Sequence, residues 1–153
     1  MTVIVWDGNK LATDRQASDG VVKWESPKAW YAIVDKYMNI LSGVGKLKHI
    51  LDLRDWYQNG ASPNLFPRVD ATSQLIVVNK HGLFRFEGSP TPIPHGFRSC
   101  AFGTGREFAY GALAMGADAV QAVEAANKFS AHCGLGVEVF AIDGKEINNE
   151  AES

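Results

Sequence analysis

The feature that most constrains the fold lies near residue 100, where a short apolar strand runs into a helix through a glycine-bracketed turn and a second helix follows at once. Arg98 to Phe102 reads as the strand and Gly103-Thr104-Gly105 as the turn. The small-residue run from Ala109 to Gly116 then predicts a helix packed closely against something flat. Beyond the break at Gly116, residues Ala119, Ala122, Val123, Ala126 and Phe129 recur at three- and four-residue intervals and define the buried stripe of the second helix.

A glycine turn between strand and helix also suits a phosphate, because helix N-termini attract anions. A dinucleotide-binding unit, however, would continue to another parallel strand ending in an acid. Here a helix follows a helix, and no Gly-Lys-Ser/Thr suggests a P-loop. The rest of the chain supports a different architecture. Thr2 to Trp6 is a β-branched and aromatic run ending at the turn Asp7-Gly8-Asn9; Lys10 to Arg15 returns as a second strand. Ala17 to Gly20 turns the chain again before Val21 to Trp24. Trp30 to Val34 and Tyr37 to Leu41 are strands across Asp35-Lys36. Helical periodicity begins after Gly45 with Leu47, Ile50 and Leu51 and stops at Asn59-Gly60. Gln74 to Val78 and Leu83 to Phe86 form a hairpin, Pro90, Pro92 and Pro94 read as a stiff connection rather than a strand, and Val137 to Ile142 is the last strand. Strands, helix, strands, two helices, strand, with no regular βαβ alternation, predict an α+β fold in which a pair of antiparallel sheets is covered by helices.

A chain of 153 residues with 46% apolar content fits one compact domain, expected over residues 1–143, with a polar C-terminal tail at 144–153. Fifteen basic against 17 acidic residues leave a formal charge of −2 with no run of like charge, which excludes the basic footprint of a nucleic-acid binder. The longest uncharged apolar stretch of the second half, Phe108 to Ala117, is too short to span a bilayer. Two cysteines, Cys100 and Cys133, make no disulfide framework and, with no secretion signal, point to a reducing, cytoplasmic compartment. His49, His81, His95 and His132 have no metal-ligand spacing, so neither metal nor cofactor is expected. His132-Cys133 suggests a cysteine nucleophile, but neighbours on an extended segment point to opposite faces, and a buried inert thiol is expected.

Four places, in order, resemble the proteasome β-subunit superfamily: Thr2-Val3-Ile4-Val5 at the start, Leu11-Ala12-Thr13-Asp14 in the second strand, Lys28 followed by Asp35-Lys36, and Gly103-Thr104-Gly105 leading into Ala109 to Gly116. The chain is most similar to the peptidase subunit of the bacterial two-component ATP-dependent protease and its small phage and bacterial relatives. The resemblance covers nearly the whole chain. It implies the four-layer αββα sandwich of the N-terminal-nucleophile hydrolases, a homo-oligomeric ring, peptide or unfolded-protein substrates, and an ATP-dependent unfoldase as partner.

It also implies a site. Thr2, freed by removal of Met1, would be the nucleophile, with its own α-amine as base, since a threonine hydroxyl at neutral pH is otherwise a poor one. Asp14 would lie beside it and hydrogen-bond Lys28, whose charge favours the ionised nucleophile; Lys23 is the fallback for that role. Gly43 or Gly45 would supply the oxyanion N–H. Thr104, with Gly105 after it, stands where the family commonly has serine, Ser130 where it has aspartate, and Cys133 where it has a hydroxyl residue. The lost carboxylate at Ser130 leaves an alternative open, a catalytically inactive protein that keeps the fold for assembly or partner binding. Without the resemblance, Thr2 reads as the first residue of an edge strand, Asp14 with Arg15 as a surface ion pair, Lys28 as a solvated turn residue, and Gly103 and Gly105 as room for a helix to start close to a sheet.

Overall fold

The computed structural model describes residues 2–142. In chain order its elements are β1 (Ile4–Trp6), β2 (Leu11–Asp14), β3 (Gln16–Ser18), β4 (Lys23–Glu25), β5 (Ala29–Val34), β6 (Tyr37–Val44), α1 (Leu47–Gln58), a 3-10 turn (Pro63–Leu65), β7 (Gln74–Asn79), β8 (Gly82–Glu87), β9 (Ile93–Gly96), β10 (Cys100–Phe102), α2 (Arg106–Ala114), α3 (Ala119–Phe129) and β11 (Val137–Phe140). The order of strands and helices is the expected one, and every pairing between strands is antiparallel. The expected polar tail at 144–153 lies outside the described residues. The chain divides into two compact units, residues 2–28 with 97–141, and residues 29–96 with 142.

The first unit holds the sheet β10-β1-β2-β11 and the separate hairpin β3-β4. Val3, Val5 and Ala12 from the sheet pack with Ala101, Ala109, Ala119, Ala122, Val123 and Ala126 into one buried cluster. Alanine at the helix positions lets the backbones of α2 and α3 approach closely, so the sheet valines bury fully at about 2 kcal/mol each. The entry of α3 is fixed twice. Asp118 and Gln121 form a reciprocal capping box, and the Asp7 carboxylate, in the β1-β2 turn, accepts the Ala119 N–H at 2.9 Å. The predicted stripe of α3 is buried at Ala119, Ala122, Val123 and Ala126 but ends there. Phe129, the last residue of the helix, is 66% exposed and stacks on Phe108 of α2 with ring centroids 6.1 Å apart.

The second unit is the five-stranded sheet β5-β6-β7-β8-β9 with α1 against it. Leu53 and Trp56 of the helix bury among Ala32, Leu41, Leu75, Val77 and Phe86; the Trp56 ring meets Phe66 and Phe86 edge-on at 4.9 and 5.0 Å. The β5-β6 turn has positive φ at both Asp35 and Lys36, as a two-residue hairpin requires. One expectation is corrected here. The stretch ending at Pro94 is not only a stiff connection, because Ile93–Gly96 pairs with β8 across a register shift at Leu83/Phe84. It is the edge strand of the sheet, where the missing N–H of proline has no ladder partner to disappoint.

Candidate active site

The site begins where β2 ends. The predicted strand from Lys10 to Arg15 stops at Asp14, because the Arg15 N–H goes to the Gly134 carbonyl at 3.0 Å and the Gln16 N–H to the Asp14 carboxylate at 3.3 Å. The chain thereby leaves one ladder and enters another. Gln16–Ser18 pairs with Lys23–Glu25, so Ala17 and Ser18 are strand residues rather than the turn their composition suggested.

This bend turns the Asp14 carboxylate inward, to 0% exposure. Its Oδ1 accepts from the Thr2 hydroxyl at 3.0 Å, the Val3 N–H at 3.2 Å and the Lys28 ammonium at 2.8 Å. Its Oδ2 accepts the Gln16 and Gly134 N–H groups at 3.3 and 3.2 Å. Lys28, 12% exposed at its side chain, is therefore neither a solvated turn residue nor interchangeable with Lys23. Asp14 makes no surface pair with Arg15, whose guanidinium goes instead to Glu25 and Glu138. A carboxylate held this way is a fixed negative point between a hydroxyl and an ammonium, able to orient both.

The Gly103-Thr104-Gly105 turn closes over Thr2 from the other side. Gly105 N–H donates to the Thr2 carbonyl at 3.1 Å, and the Thr2 nitrogen donates to Thr104 Oγ1 at 3.3 Å. Both glycines are there for space. A Cβ on Gly103, where φ is +95°, would stand 2.4 Å from the Thr2 carbonyl oxygen; one on Gly105 would stand 2.7 Å from Cys133 Sγ and 3.0 Å from the Val3 Cβ. Thr2 itself is 8% exposed.

The turn after α3 supplies the remaining wall. Ser130 Oγ accepts the His132 N–H at 3.2 Å, and Gln16 Nε2 donates to the Ala131 carbonyl at 3.3 Å. Cys133 is a buried thiol, as expected, 4% exposed. Its pKa is raised, first by burial and then by the negative charge of Asp14, with the Ser130 hydroxyl and Lys28 offsetting part of the shift. It is a packed thiol rather than a thiolate nucleophile.

Thr2, Asp14, Lys28, Thr104, Gly105, Ser130 and Cys133 thus all belong to the first unit; the hydrogen bonds above join Thr2, Asp14, Lys28, Thr104 and Gly105, while Ser130 and Cys133 lie in the turn whose Gly134 N–H reaches Asp14. Gly43 and Gly45 belong to the second, each with a local reason to be glycine. A Cβ on Gly43 would meet the Gln74 carbonyl oxygen and Ile50 Cγ2, both at 2.7 Å, and Gly45, at φ +106°, lies against Ser73. The sequence reading missed Gln16 and the Gly134 N–H as partners of Asp14, since a backbone donor leaves no signature in residue type. Among the described residues, no three His, Cys, Asp or Glu side chains converge as a metal-binding set.

No protein-family model matches the chain, and no curated protein does. Solved structures do. BPH of Thiobacillus denitrificans, determined in complex with epoxomicin, superposes with a TM-score of 0.66 at 18% identity, covering 94% of this chain and 98% of its own. HslV from Trypanosoma brucei does so with a TM-score of 0.65 at 22% identity, covering 91% and 97%. The Gly-1 mutant of Anbu from Hyphomicrobium sp. strain MC1 reaches a TM-score of 0.72 at 10% identity, covering 97% and 85%. The chain shares the fold of these solved structures, the proteasome β-subunit fold that the resemblance predicted.

Proposed function

We propose that the chain is a threonine-type N-terminal-nucleophile hydrolase, a proteasome-like peptidase acting through Thr2 after removal of Met1. The observation that carries this reading is the shared carboxylate: Asp14 Oδ1 stands 3.0 Å from the Thr2 hydroxyl oxygen and 2.8 Å from the Lys28 ammonium. Once Met1 is gone, the Thr2 nitrogen is an α-amine with an ordinary pKa of about 8, suited to take a proton at neutral pH. As Thr2 Oγ1 attacks the substrate carbonyl carbon, its proton passes to that amine. The C–N bond of the tetrahedral intermediate then breaks, the departing amine takes the proton, and an ester on Thr2 remains for water to hydrolyse. Asp14 accepts the hydroxyl's hydrogen bond and holds Lys28 beside it, the Lys28 charge favouring ionisation of the hydroxyl, while Thr104 orients the α-amine. Gly43 or Gly45 is assigned the N–H that receives the oxyanion. No cofactor enters this scheme.

The likeness to HslV and BPH across both units supports the rest of the proposal. It comprises a single domain in four αββα layers, a homo-oligomeric ring in the cytoplasm, peptide or unfolded-protein substrates, and an ATP-dependent unfoldase as feeder. One observation favours a second reading, an inactive protein that keeps the fold for assembly. Ser130 brings a hydroxyl, bonded to the His132 N–H, where a carboxylate would support proton transfer.

The deciding experiment is acylation by an electrophilic, threonine-directed inhibitor. Wild-type protein is expected to hydrolyse peptides and to carry the label on Thr2, and Thr2→Ala to do neither. Undiminished labelling of Thr2→Ala would identify a different nucleophile; an unlabelled wild type lacking Met1 would establish the inactive reading.

A further inference from the structure

Beside the site, within the same unit, the β3-β4 hairpin and the turn after α3 enclose a concavity of about 290 Å³. Gln16, Ser18 and Lys23 line it from the hairpin, Ala131 and His132 from the turn. We infer that this concavity binds a carboxylate of the substrate, with Lys23 as the recognising cation and the His132 ring as a second donor. The inference rests on the peptidase reading and names a substrate preference for that same site.

The first ground is position. Gln16 is at once a wall of the concavity and a partner of the nucleophile's support: its N–H bonds Asp14 Oδ2 at 3.3 Å, while Asp14 Oδ1 accepts the Thr2 hydroxyl at 3.0 Å. The wall of the concavity is thus joined to the nucleophile through one shared carboxylate, which is the ground for assigning the concavity to a substrate residue near the bond attacked by Thr2. The volume is at the low end for ligand pockets and accommodates one side chain.

The second ground is charge. Both ionisable groups in the lining, Lys23 and His132, are hydrogen-bond donors toward an anion, and no carboxylate lines the space. The acids nearest in the chain or across the sheet are engaged elsewhere. Asp14 holds Lys28, Glu25 and Glu138 hold Arg15, and Asp19 accepts the Val21 and Val22 N–H groups at 2.9 and 2.8 Å. Among the described residues no carboxylate pairs with Lys23. The other polar groups of the wall are also committed, Gln16 Nε2 to the Ala131 carbonyl at 3.3 Å and Ser18 Oγ to the Gly20 N–H at 2.9 Å. What the concavity presents to an incoming group is thus an ammonium with no carboxylate partner among the described residues, at the edge of a largely apolar trough that Val21 and Ala131 help to line. A carboxylate satisfies it and an ammonium is repelled.

The test uses peptides identical except for Glu or Gln, scanned through the positions on both sides of the cleaved bond, each with a free or amidated C-terminus. Wild-type protein should prefer Glu at one position by about fivefold in kcat/KM, the scale of a partly exposed ion pair. Lys23→Gln should erase the preference and Lys23→Glu reverse it, with inhibitor labelling of Thr2 retained in both as the measure of an intact site. A preference carried by the free C-terminus and equally sensitive to Lys23 assigns the pocket to a chain end instead of a side chain. Equal handling of all the carboxylate and amide pairs, or a preference indifferent to Lys23, overturns the inference and leaves the peptidase reading standing. Binding of the same peptides to Thr2→Ala by fluorescence anisotropy separates the two in the other direction. A Lys23-dependent preference for the carboxylate form without hydrolysis by the wild type keeps the pocket and removes the peptidase, whereas no binding and no hydrolysis removes both.

Discussion

At the scale of single residues, the site is one buried carboxylate and what it holds. Asp14 lies at 0% exposure with an ammonium 2.8 Å away. Such a pair gains little over a well-packed apolar substitute, but breaking it is costly, because the largely buried ammonium loses the counter-charge 2.8 Å away. Asp14→Asn keeps the shape and removes the charge, and it turns one acceptor oxygen into an NH2 that must face donors. It should lower stability by about 3 to 5 kcal/mol, read as a shift of the urea midpoint at unchanged slope, and should abolish labelling of Thr2. A variant that unfolds like the wild type would show that Lys28 is held by other groups. Thr2, Asp14, Lys28 and Thr104 were legible before any coordinates because their side chains carry the resemblance. The Gln16 and Gly134 N–H groups were not, since any residue but proline supplies one. Nor did residue type alone tell Lys28 from Lys23: only the bend at Asp14 brings one to the carboxylate and sets the other in the neighbouring concavity.

At the scale of elements, periodicity located the helices and most strands but could not say where an element stops touching its neighbour. Phe129 continues the α3 stripe in sequence, yet the packing ends at Ala126. The strand Ile93–Gly96 hides behind its prolines because an edge position tolerates what an interior one would not. Polar contacts between elements were equally invisible, and one of them predicts a pH dependence. Tyr57 of α1 donates its hydroxyl to Asn39 of β6 at 3.1 Å, and Asn39 also accepts from Asn79 of β7 at 3.3 Å. Burial pushes the Tyr57 phenol up from 10.0 to about 12; the Asn79 amide offsets part of this and the charge of Asp35 adds to it. Below pH 10 the group is protonated whether the chain is folded or not, so its contribution there is constant. Between pH 10 and 12 the unfolded chain ionises Tyr57 and the folded one does not, so stability falls as pH rises. Discounted for the part of the ring that meets solvent, the loss attributable to Tyr57 should be about 1 to 2 kcal/mol. Urea unfolding of wild type and Tyr57→Phe at pH 9 and pH 12 measures it: the wild type should lose that much more than the variant. Parallel losses would mean that the phenol ionises equally well in the folded chain.

At the scale of the whole molecule, the proposed chemistry depends on one covalent event, the removal of Met1. With Met1 attached, the Thr2 nitrogen is an amide without a basic lone pair, and no arrangement of Asp14, Lys28 and Thr104 turns it into a base. Thr2 is small, which favours removal of a methionine before it, and it is 8% exposed beneath the Gly103-Thr104-Gly105 turn. The proposed ring adds a second condition, because a ring that encloses its sites is what would protect other proteins from an open peptidase of 16.7 kDa. The two conditions are tested together on protein purified from its native host. Intact mass spectrometry should show the chain without its methionine, and light scattering a particle several times the mass of one chain. A processed monomer would keep the threonine mechanism and remove the ring. An assembled particle in which every chain keeps Met1 would keep the ring and remove the mechanism, leaving a protein whose buried carboxylate, lysine and threonine serve the fold alone.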